Sequence, residues 1–154
     1  MKKEKVLISA CLIGENCRYD GKTKKVNGIL SLARYYDLIP ICPEREGGRK
    51  IPREPSEIQS DGSVKSKSGK DVTEQYKAGA WWARSIVEIY NIHLAILKEN
   101  SPSCGTHFIH NGLFDGGRIP GMGITAKLLK SHGVKCINED EALELLHAKE
   151  SEKK

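Results

Sequence analysis

Short apolar segments alternate with helical patterns in the first part of this chain. Residues 6–10 form one largely apolar segment, which ends at Cys11, and residues 38–41 form another, which ends at Cys42. Segments of this length and composition are typical of buried strands. Between them, apolar side chains recur at helical spacing, which predicts a helix from about residue 26 to residue 36. The positions that carry this helical pattern are Ile29, Leu32, Ala33 and Tyr36.

The middle of the chain departs from this alternation. From residue 44 to residue 69 the composition shifts to Gly, Pro, Arg, Lys and Ser, which indicates an excursion from the core. Within it, an Asp-Gly turn at residues 61–62 lies between two short strand-like segments and predicts a β-hairpin. A long amphipathic helix follows, capped by Asp71 or Thr73 and ending near Tyr90.

The last third of the chain returns to the alternation of strand and helix. Residues 92–97 predict a third strand, and the Pro- and Gly-containing segment that follows it carries Cys104. An Asn-Gly pair at residues 111–112 predicts a turn. Beyond it we expect a helix over residues 124–131, a strand over residues 134–137 and a last helix over residues 139–147.

Alternating strand and helix signals of this kind define the expected fold class. They are typical of an α/β layer fold, and we predict a Rossmann-like, open and mostly parallel sheet with flanking helices and a hairpin-containing insertion. A chain of 154 residues with 38% hydrophobic residues is large enough for one modest core. We expect a single domain over residues 1–148 and a disordered tail over residues 149–154.

The cysteines and the apolar segments also indicate the compartment. The apolar segments fall well short of the roughly 18 residues of a membrane span, and the charged first residues do not resemble a secretion signal. We therefore expect a soluble, cytoplasmic protein. Five cysteines at irregular spacing, in a compartment that keeps thiols reduced, favour metal binding or catalysis over a disulfide framework.

The net charge of +5 raises the question of a nucleic-acid partner. Most lysines lie at the termini or in the loops around residues 22–25 and 65–70. No aromatic side chains are interleaved with them as stacking platforms would require. A solvated basic surface is therefore the favoured interpretation, and a tRNA-sized or other anionic partner is the alternative.

Three of the cysteines follow predicted strands. Cys11, Cys42 and Cys104 each lie where an apolar segment gives way to a loop. Ligands of open α/β sheets bind beyond the carboxyl ends of the strands, so these thiols are expected to share one site. Three thiolates are soft ligands suited to iron–sulfur clusters, zinc or copper(I), and they leave one position open for a substrate. Cys17 is a candidate fourth ligand, a free thiol or a disulfide partner in oxidised protein, and it is placed outside that set. Cys136 is expected to be a core residue.

Other side chains near these cysteines are candidates for the chemistry. Glu44 lies two residues after Cys42 and is a candidate general acid or base, against the simpler alternative of an ordinary loop carboxylate. Ser101 and Ser103 offer hydroxyl groups in the Cys104 segment. The glycine-rich turn at residues 121–125 offers backbone N–H groups at a helix start. Candidate anchors for an anion or a carbonyl group are Arg18, Arg53 and Arg118.

Several motifs in a fixed order together resemble the thiouracil desulfurase family. The resemblance spans nearly the whole chain, and the combination is far more specific than any single motif. The motifs are SACLIG at residues 9–14, CRYDG at 17–21, CPE at 42–44, GG at 47–48, PR at 52–53, SPSCG at 101–105 and GITA at 123–126.

The resemblance implies an enzyme with an iron–sulfur cofactor. It implies a [4Fe–4S] cluster held by three cysteines, here Cys11, Cys42 and Cys104, whose fourth iron binds the sulfur of a thiolated pyrimidine. In that scheme Glu44 relays protons and Ser101 positions the substrate. The expected reaction is the non-redox conversion of a small thiolated base such as 2-thiouracil into the oxo base and sulfide.

Two other classes of function stay open from the residues alone. A noncatalytic zinc protein would use the same thiols with Cys17 as a fourth ligand, which closes the coordination shell. A noncatalytic nucleotide- or RNA-binding module would use the glycine-rich turn and the lysine loops. Within the enzyme hypothesis, thiolated tRNA is the alternative to a free base as substrate.

Overall fold

The computed structural model describes residues 3–152 of the chain. Eight β-strands and four α-helices occur within those residues, together with short 3₁₀ helices at Ala10–Ile13 and Ile29–Arg34. The strands are β1 (Glu4–Ser9), β2 (Tyr36–Ile41), β3 (Ser56–Ile58), β4 (Val64–Ser66), β5 (Leu94–Ile96), β6 (Phe108–His110), β7 (Arg118–Pro120) and β8 (Lys135–Ile137). The α-helices are α1 (Pro43–Glu46), α2 (Thr73–Tyr90), α3 (Ile124–Ser131) and α4 (Glu139–Glu152).

Four parallel strands form the central sheet in the order β2-β1-β5-β8. In the register of this sheet Leu7 of β1 lies opposite Ile39 of β2 and Ala95 of β5. The parallel sheet with flanking helices confirms the predicted Rossmann-like fold class. The chain moves from β1 to β2 on one side and later to β5 on the other, so a topological switch point lies between β1 and β5.

Both faces of the sheet are covered, which explains why its two central strands, β1 and β5, carry buried apolar runs. Val6 and Ile8 are fully buried on one face, against the 3₁₀ helices and α4. Leu7 is fully buried on the other face, against α2 and α3. Burying one such side chain stabilises the fold by about 1.5–3 kcal/mol. No helix within residues 3–152 is long and apolar enough to cross a membrane.

The segment between β1 and β2 differs from its prediction. The expected helix over residues 26–36 is a short 3₁₀ helix, Ile29–Arg34, and Tyr36 already belongs to β2. Gly28 precedes the 3₁₀ helix with φ at +87°, which sets its start. Tyr36 lies opposite Glu4 in the parallel ladder, so strand pairing and not helical periodicity determines its backbone conformation.

Two small antiparallel hairpins lie outside the central sheet. The predicted hairpin of the insertion is present as β3 and β4, with Gly62 in the turn at φ +86°. A second hairpin, formed by β6 and β7, was not predicted beyond the turn at residues 111–112. Its strands have three residues each and expose Phe108 and Ile119, so they carry too little alternation to be recognised.

The helices agree with the sequence pattern at most of their ends. α2 begins at Thr73, whose N–H donates to Asp71 Oδ1 at 2.9 Å, and α3 has the predicted bounds. α4 continues to Glu152 and therefore includes residues 149–152 of the segment assigned to a disordered tail, where Lys149 Nζ lies 5.5 Å from the centre of the Tyr36 ring. Residues 153 and 154 lie outside the described residues.

Candidate active site

A cavity of about 320 Å³ opens at the carboxyl edge of the central sheet. Its lining includes three cysteines that follow three adjacent strands. Cys11 lies in the 3₁₀ helix after β1, Cys42 lies between β2 and α1, and Cys104 lies in the long loop after β5. All three are buried, at 4–8% exposure. The predicted convergence of Cys11, Cys42 and Cys104 at one edge is therefore present in the fold.

Two glycines allow helices to pack closely against the segments that carry these cysteines. Gly79 of α2 lies against the backbone of Pro43, the residue after Cys42, with no space for a Cβ atom. Gly123, just before α3, lies equally close to Ser103 and the backbone nitrogen of Cys104. The glycine-rich turn at residues 121–125 therefore supports the Cys104 loop from behind and does not line the cavity.

Cys17 lies with the other thiols, although the sequence analysis placed it outside their set. It is 3% exposed and lines the same cavity. Hydrogen bonding with Cys11, ahead of burial, raises the pKa of Cys17 to about 11. Hydrogen bonding with Cys17, then burial, raises the pKa of Cys42 far above its usual range, and Cys42 Sγ also lies 3.7 Å from the Cys17 carbonyl oxygen. These contacts make Cys17 a neighbour of both thiols.

Cys104 contacts hydroxyl groups and also lies close enough to Cys42 to interact with it electrostatically. It is 4% exposed, and burial raises its pKa to about 12 despite a hydrogen bond from Ser103 Oγ at 3.6 Å. Within residues 3–152, no three His, Cys, Asp or Glu side chains form a group that could hold a single metal ion. The raised pKa values mean that these thiols are protonated in the absence of a cofactor. A cysteine must lose its proton to bind iron, so cofactor binding is coupled to deprotonation.

Glu44 enters the cavity from the start of α1 and is held by four side chains. Its Oε1 atom accepts hydrogen bonds from Tyr76 Oη at 2.5 Å and from Arg53 Nη2 at 3.2 Å. Its Oε2 atom accepts longer hydrogen bonds, of 3.5 Å from Ser101 Oγ and 3.4 Å from Ser103 Oγ. The structure thus brings Glu44 and Ser101 together, as the sequence analysis expected.

Arg53 and Tyr76 complete the surroundings of Glu44. Arg53 has only 4% of its side chain exposed, and it also donates to the carbonyl oxygens of Lys50 and Cys17. Tyr76 is almost fully buried in α2, and burial together with the adjacent Glu44 carboxylate raises its pKa well above its usual range. Tyr76 therefore remains a protonated donor. The sequence analysis predicted the long amphipathic helix that contains Tyr76 but no role for this residue.

Glu99 organises the loop that carries Cys104, and sequence reasoning missed it. Its Oε1 atom accepts N–H bonds from Thr106 at 2.8 Å, His107 at 2.9 Å and Phe108 at 3.1 Å. Burial alone would raise the pKa of Glu99, but these bonds and one from Asn138 outweigh it and lower the pKa to about 2. A single carboxylate in a polar loop gives no sequence signal for such a role.

One candidate anchor lies elsewhere: Arg118 lies on β7 and does not line the cavity. Cys136 is a half-buried residue of β8 that packs against the core, as the sequence analysis expected. Arg18 lines the cavity and pairs with Asp20 at 3.3 Å. The groups available in the cavity include thiols, the ion-paired carboxylate of Glu44 and hydroxyl groups.

The fold and this site together identify the class of the protein. The family model of 2-thiouracil desulfurase matches residues 6–141, and the chain belongs to that family. It is 41% identical over 150 residues to an uncharacterised protein of Bacillus subtilis (strain 168), YbbK, with 92% of this chain and 99% of the relative covered.

A solved structure also resembles the chain closely. It is that of the [4Fe-4S]-dependent thiouracil desulfidase TudS, also designated DUF523Vcz. The two chains superpose with a TM-score of 0.88 at 41% identity, over 95% of this chain and 97% of the other. The family resemblance inferred from the motifs is confirmed.

Proposed function

We propose that this chain is an iron–sulfur-dependent enzyme that replaces the sulfur of a thiolated pyrimidine, such as 2-thiouracil, with oxygen. The reaction is a hydrolysis in which C=S and one water become C=O and hydrogen sulfide, with no net oxidation or reduction. Family membership supports this chemistry. The observation that carries the proposal is one cavity in which three strand-end thiols adjoin a carboxylate held by hydroxyl groups.

The cofactor in this proposal is a [4Fe–4S] cluster held by Cys11, Cys42 and Cys104. The donor set fits such a group, because the cavity offers buried thiols, which are the ligands that iron–sulfur clusters take in proteins. With three protein ligands the bound cluster supplies one open iron that acts as a Lewis acid towards the substrate sulfur.

Glu44 and Ser101 act on the substrate and on water in this proposal. The Oε2 atom of Glu44 is the one that faces Ser101 and Ser103, so it is the atom that removes a proton from the attacking water. That proton passes to the departing sulfur, and the second proton of the water leaves the new C–OH group as C=O forms, so that the sulfur departs as hydrogen sulfide. Ser101 Oγ positions the substrate, and Tyr76 and Arg53 hold Oε1 so that the carboxylate keeps its orientation.

The direct test is sulfide release from 2-thiouracil by protein reconstituted with iron and sulfide under anaerobic conditions. We expect brown protein with about four irons per chain and release of sulfide and uracil in equal amounts. Protein that binds zinc, stays colourless and releases no sulfide would contradict the proposal and favour the noncatalytic zinc alternative.

Cysteine variants test the three-ligand set. Cys104→Ala should lose both the cluster and activity, whereas the matched control Cys136→Ala removes a thiol outside the cavity and should keep both. Cys17→Ala should keep about four irons per chain, because three cysteines suffice as ligands in this proposal. If Cys17→Ala loses the cluster, Cys17 is a fourth ligand, and no iron of the cluster is open to the substrate.

A further inference from the structure

Phe114 has an unusual backbone conformation and lines the cavity that contains Glu44 and Ser101. It lies in the loop between β6 and β7, with φ at +55°. A bulky residue in this left-handed region is an outlier, because its Cβ atom crowds the backbone. Such conformations persist only where the surrounding structure enforces them, and they concentrate at functional sites.

Glu57 of β3 is one of the groups that enforce this conformation. Only 7% exposed, it accepts N–H bonds through Oε1 from Gly112 at 2.9 Å and from Phe114 at 3.2 Å. Gln59 Nε2 adds a bond of 3.3 Å to the Gly112 carbonyl oxygen. The insertion hairpin therefore holds a loop that lies more than fifty residues away in sequence. The buried carboxylate of Glu57 accepts hydrogen bonds from the backbone N–H groups of Gly112 and Phe114.

The loop is also fixed by bonds within itself. Asp115 Oδ1 accepts from Asn111 Nδ2 at 2.9 Å and from the Gly117 N–H at 2.8 Å, and Asn111 Oδ1 accepts from the Leu113 N–H at 2.9 Å. Leu113 is 72% exposed, whereas its neighbour Phe114 is half-buried and lines the cavity. The loop thus presents one aromatic ring to the cavity in a preorganised position.

We infer that Phe114 determines substrate specificity by stacking on the planar face of the thiolated ring, and that Glu57 is the residue that positions Phe114. This inference rests on the proposed function. A pyrimidine ring presents two flat faces, and an aromatic side chain contributes substantially to binding one of them. A ring that is already immobilised loses little conformational entropy when the substrate binds.

The test compares Phe114→Leu, Phe114→Tyr and the exposed control Leu113→Ala in cluster-loaded protein. Steady-state kinetics with 2-thiouracil give kcat and KM, and calorimetry gives the Kd of the product uracil. Phe114→Leu should raise both KM and Kd about tenfold, the effect of losing one aromatic stacking partner, with kcat changed by less than about twofold. Leu113→Ala should match the wild type, and Phe114→Tyr, which keeps an aromatic face, should raise KM and Kd less than Phe114→Leu does.

Ring planarity gives a second measurement. Wild-type protein should prefer 2-thiouracil to 5,6-dihydro-2-thiouracil, whose ring is puckered, and Phe114→Leu should lose much of that preference. Glu57→Gln should raise KM in the same direction as Phe114→Leu, because the amide is a weaker acceptor for the two N–H groups. If Glu57→Gln has the KM of the wild type, Glu57 does not position Phe114.

The outcomes separate this inference from the proposed function. If the wild type releases sulfide but Phe114→Leu leaves KM, Kd and ring preference unchanged, stacking by Phe114 is wrong and the desulfurase proposal stands. Tyr19 also lines the cavity with an aromatic side chain. If KM rises in Tyr19→Leu but not in Phe114→Leu, Tyr19 and not Phe114 stacks on the substrate ring. Cluster-loaded wild type that releases no sulfide would instead contradict the proposed function.

Discussion

Glu44 and Glu99 line the same cavity, but their hydrogen-bond partners differ in kind. All four donors to Glu44 are side chains, and three of them are the hydroxyl groups of Tyr76, Ser101 and Ser103. Glu99 accepts mainly from backbone N–H groups in the loop that carries Cys104.

This difference determines what each carboxylate can do. Burial raises the pKa of Glu99, but hydrogen bonds from the Asn138 amide and from backbone N–H groups, which only donate, stabilise its charged form and lower the pKa to about 2. A hydroxyl group can rotate and accept as well as donate, so the three hydroxyl partners of Glu44 can adapt when a proton moves, whereas Arg53 only donates. We conclude that Glu44 is suited to proton transfer and Glu99 to holding a loop in place.

Replacing Glu44 should have the largest effect on activity. Glu44→Gln keeps the size of the side chain but removes its basicity, so kcat/KM for desulfuration should fall by about 10²–10⁴-fold, as for loss of a general base. The measurement is sulfide release per cluster. The equivalent change Glu99→Gln should leave the activity of folded, cluster-loaded protein within about tenfold of the wild type.

The control for Glu44→Gln is its iron content. The variant leaves the guanidinium of Arg53 buried without its counter-ion, so some stability is lost as well. Assays well below the unfolding temperature, normalised to iron, separate this effect from catalysis. If Glu44→Gln turns over substrate as fast as the wild type, Glu44 is not the general base, and the two carboxylates do not differ in function as we propose.

The position of Glu44 was predictable from sequence, because Cys42 follows an apolar strand and Glu44 is two residues further. The roles of Tyr76 and Glu99 were not predictable. Tyr76 belongs to α2, which packs closely on α1 because Gly79 leaves room for the backbone of Pro43. A helical pattern shows that such a side chain is buried but not what it meets.

The same reasoning explains the loop that carries Phe114. The Asn-Gly pair at residues 111–112 predicts a turn, and Gly112 has φ at +87°. The clamp by Glu57 depends on two hairpins that are far apart in sequence, and nothing in either segment alone indicates their contact. Parallel strand ends bring cysteines together by topology, whereas contacts between hairpins depend on tertiary packing.

Replacing Glu99 should have the larger effect on stability. Glu99→Gln retains one acceptor oxygen but loses the charge, and the N–H groups of the loop lose their best partner. We expect the free energy of unfolding to fall by about 1–3 kcal/mol. Urea denaturation gives this value, and Glu144→Gln on the exposed side of α4 is the control, with a change below about 0.5 kcal/mol. An unchanged midpoint in Glu99→Gln would contradict the structural role.

The stabilisation by Glu99 should depend on pH with a definite sign. Its pKa falls from 4.5 to about 2 on folding, so its contribution is complete above pH about 4.5 and is lost as the pH falls towards 2. The difference in unfolding free energy between wild type and Glu99→Gln should therefore shrink over this interval. Acid-induced loss of a cluster affects both chains alike and cancels in the difference. A difference that stays constant down to pH 2 would be inconsistent with the lowered pKa.

Removing one hydroxyl donor from each carboxylate should give the smallest effects and the sharpest contrast. Ser103→Ala removes a donor 3.4 Å from Glu44 Oε2, and Thr106→Val removes one 3.0 Å from Glu99 Oε2. Each change should remove about 1 kcal/mol of stabilisation. In Ser103→Ala the loss should appear in the activation free energy, and in Thr106→Val it should appear in the free energy of unfolding. Ser103→Ala should lower kcat several-fold with little change in the urea midpoint, whereas Thr106→Val should lower the midpoint and leave kcat unchanged. Equal effects of the two variants on kcat would mean that both carboxylates take part in the reaction.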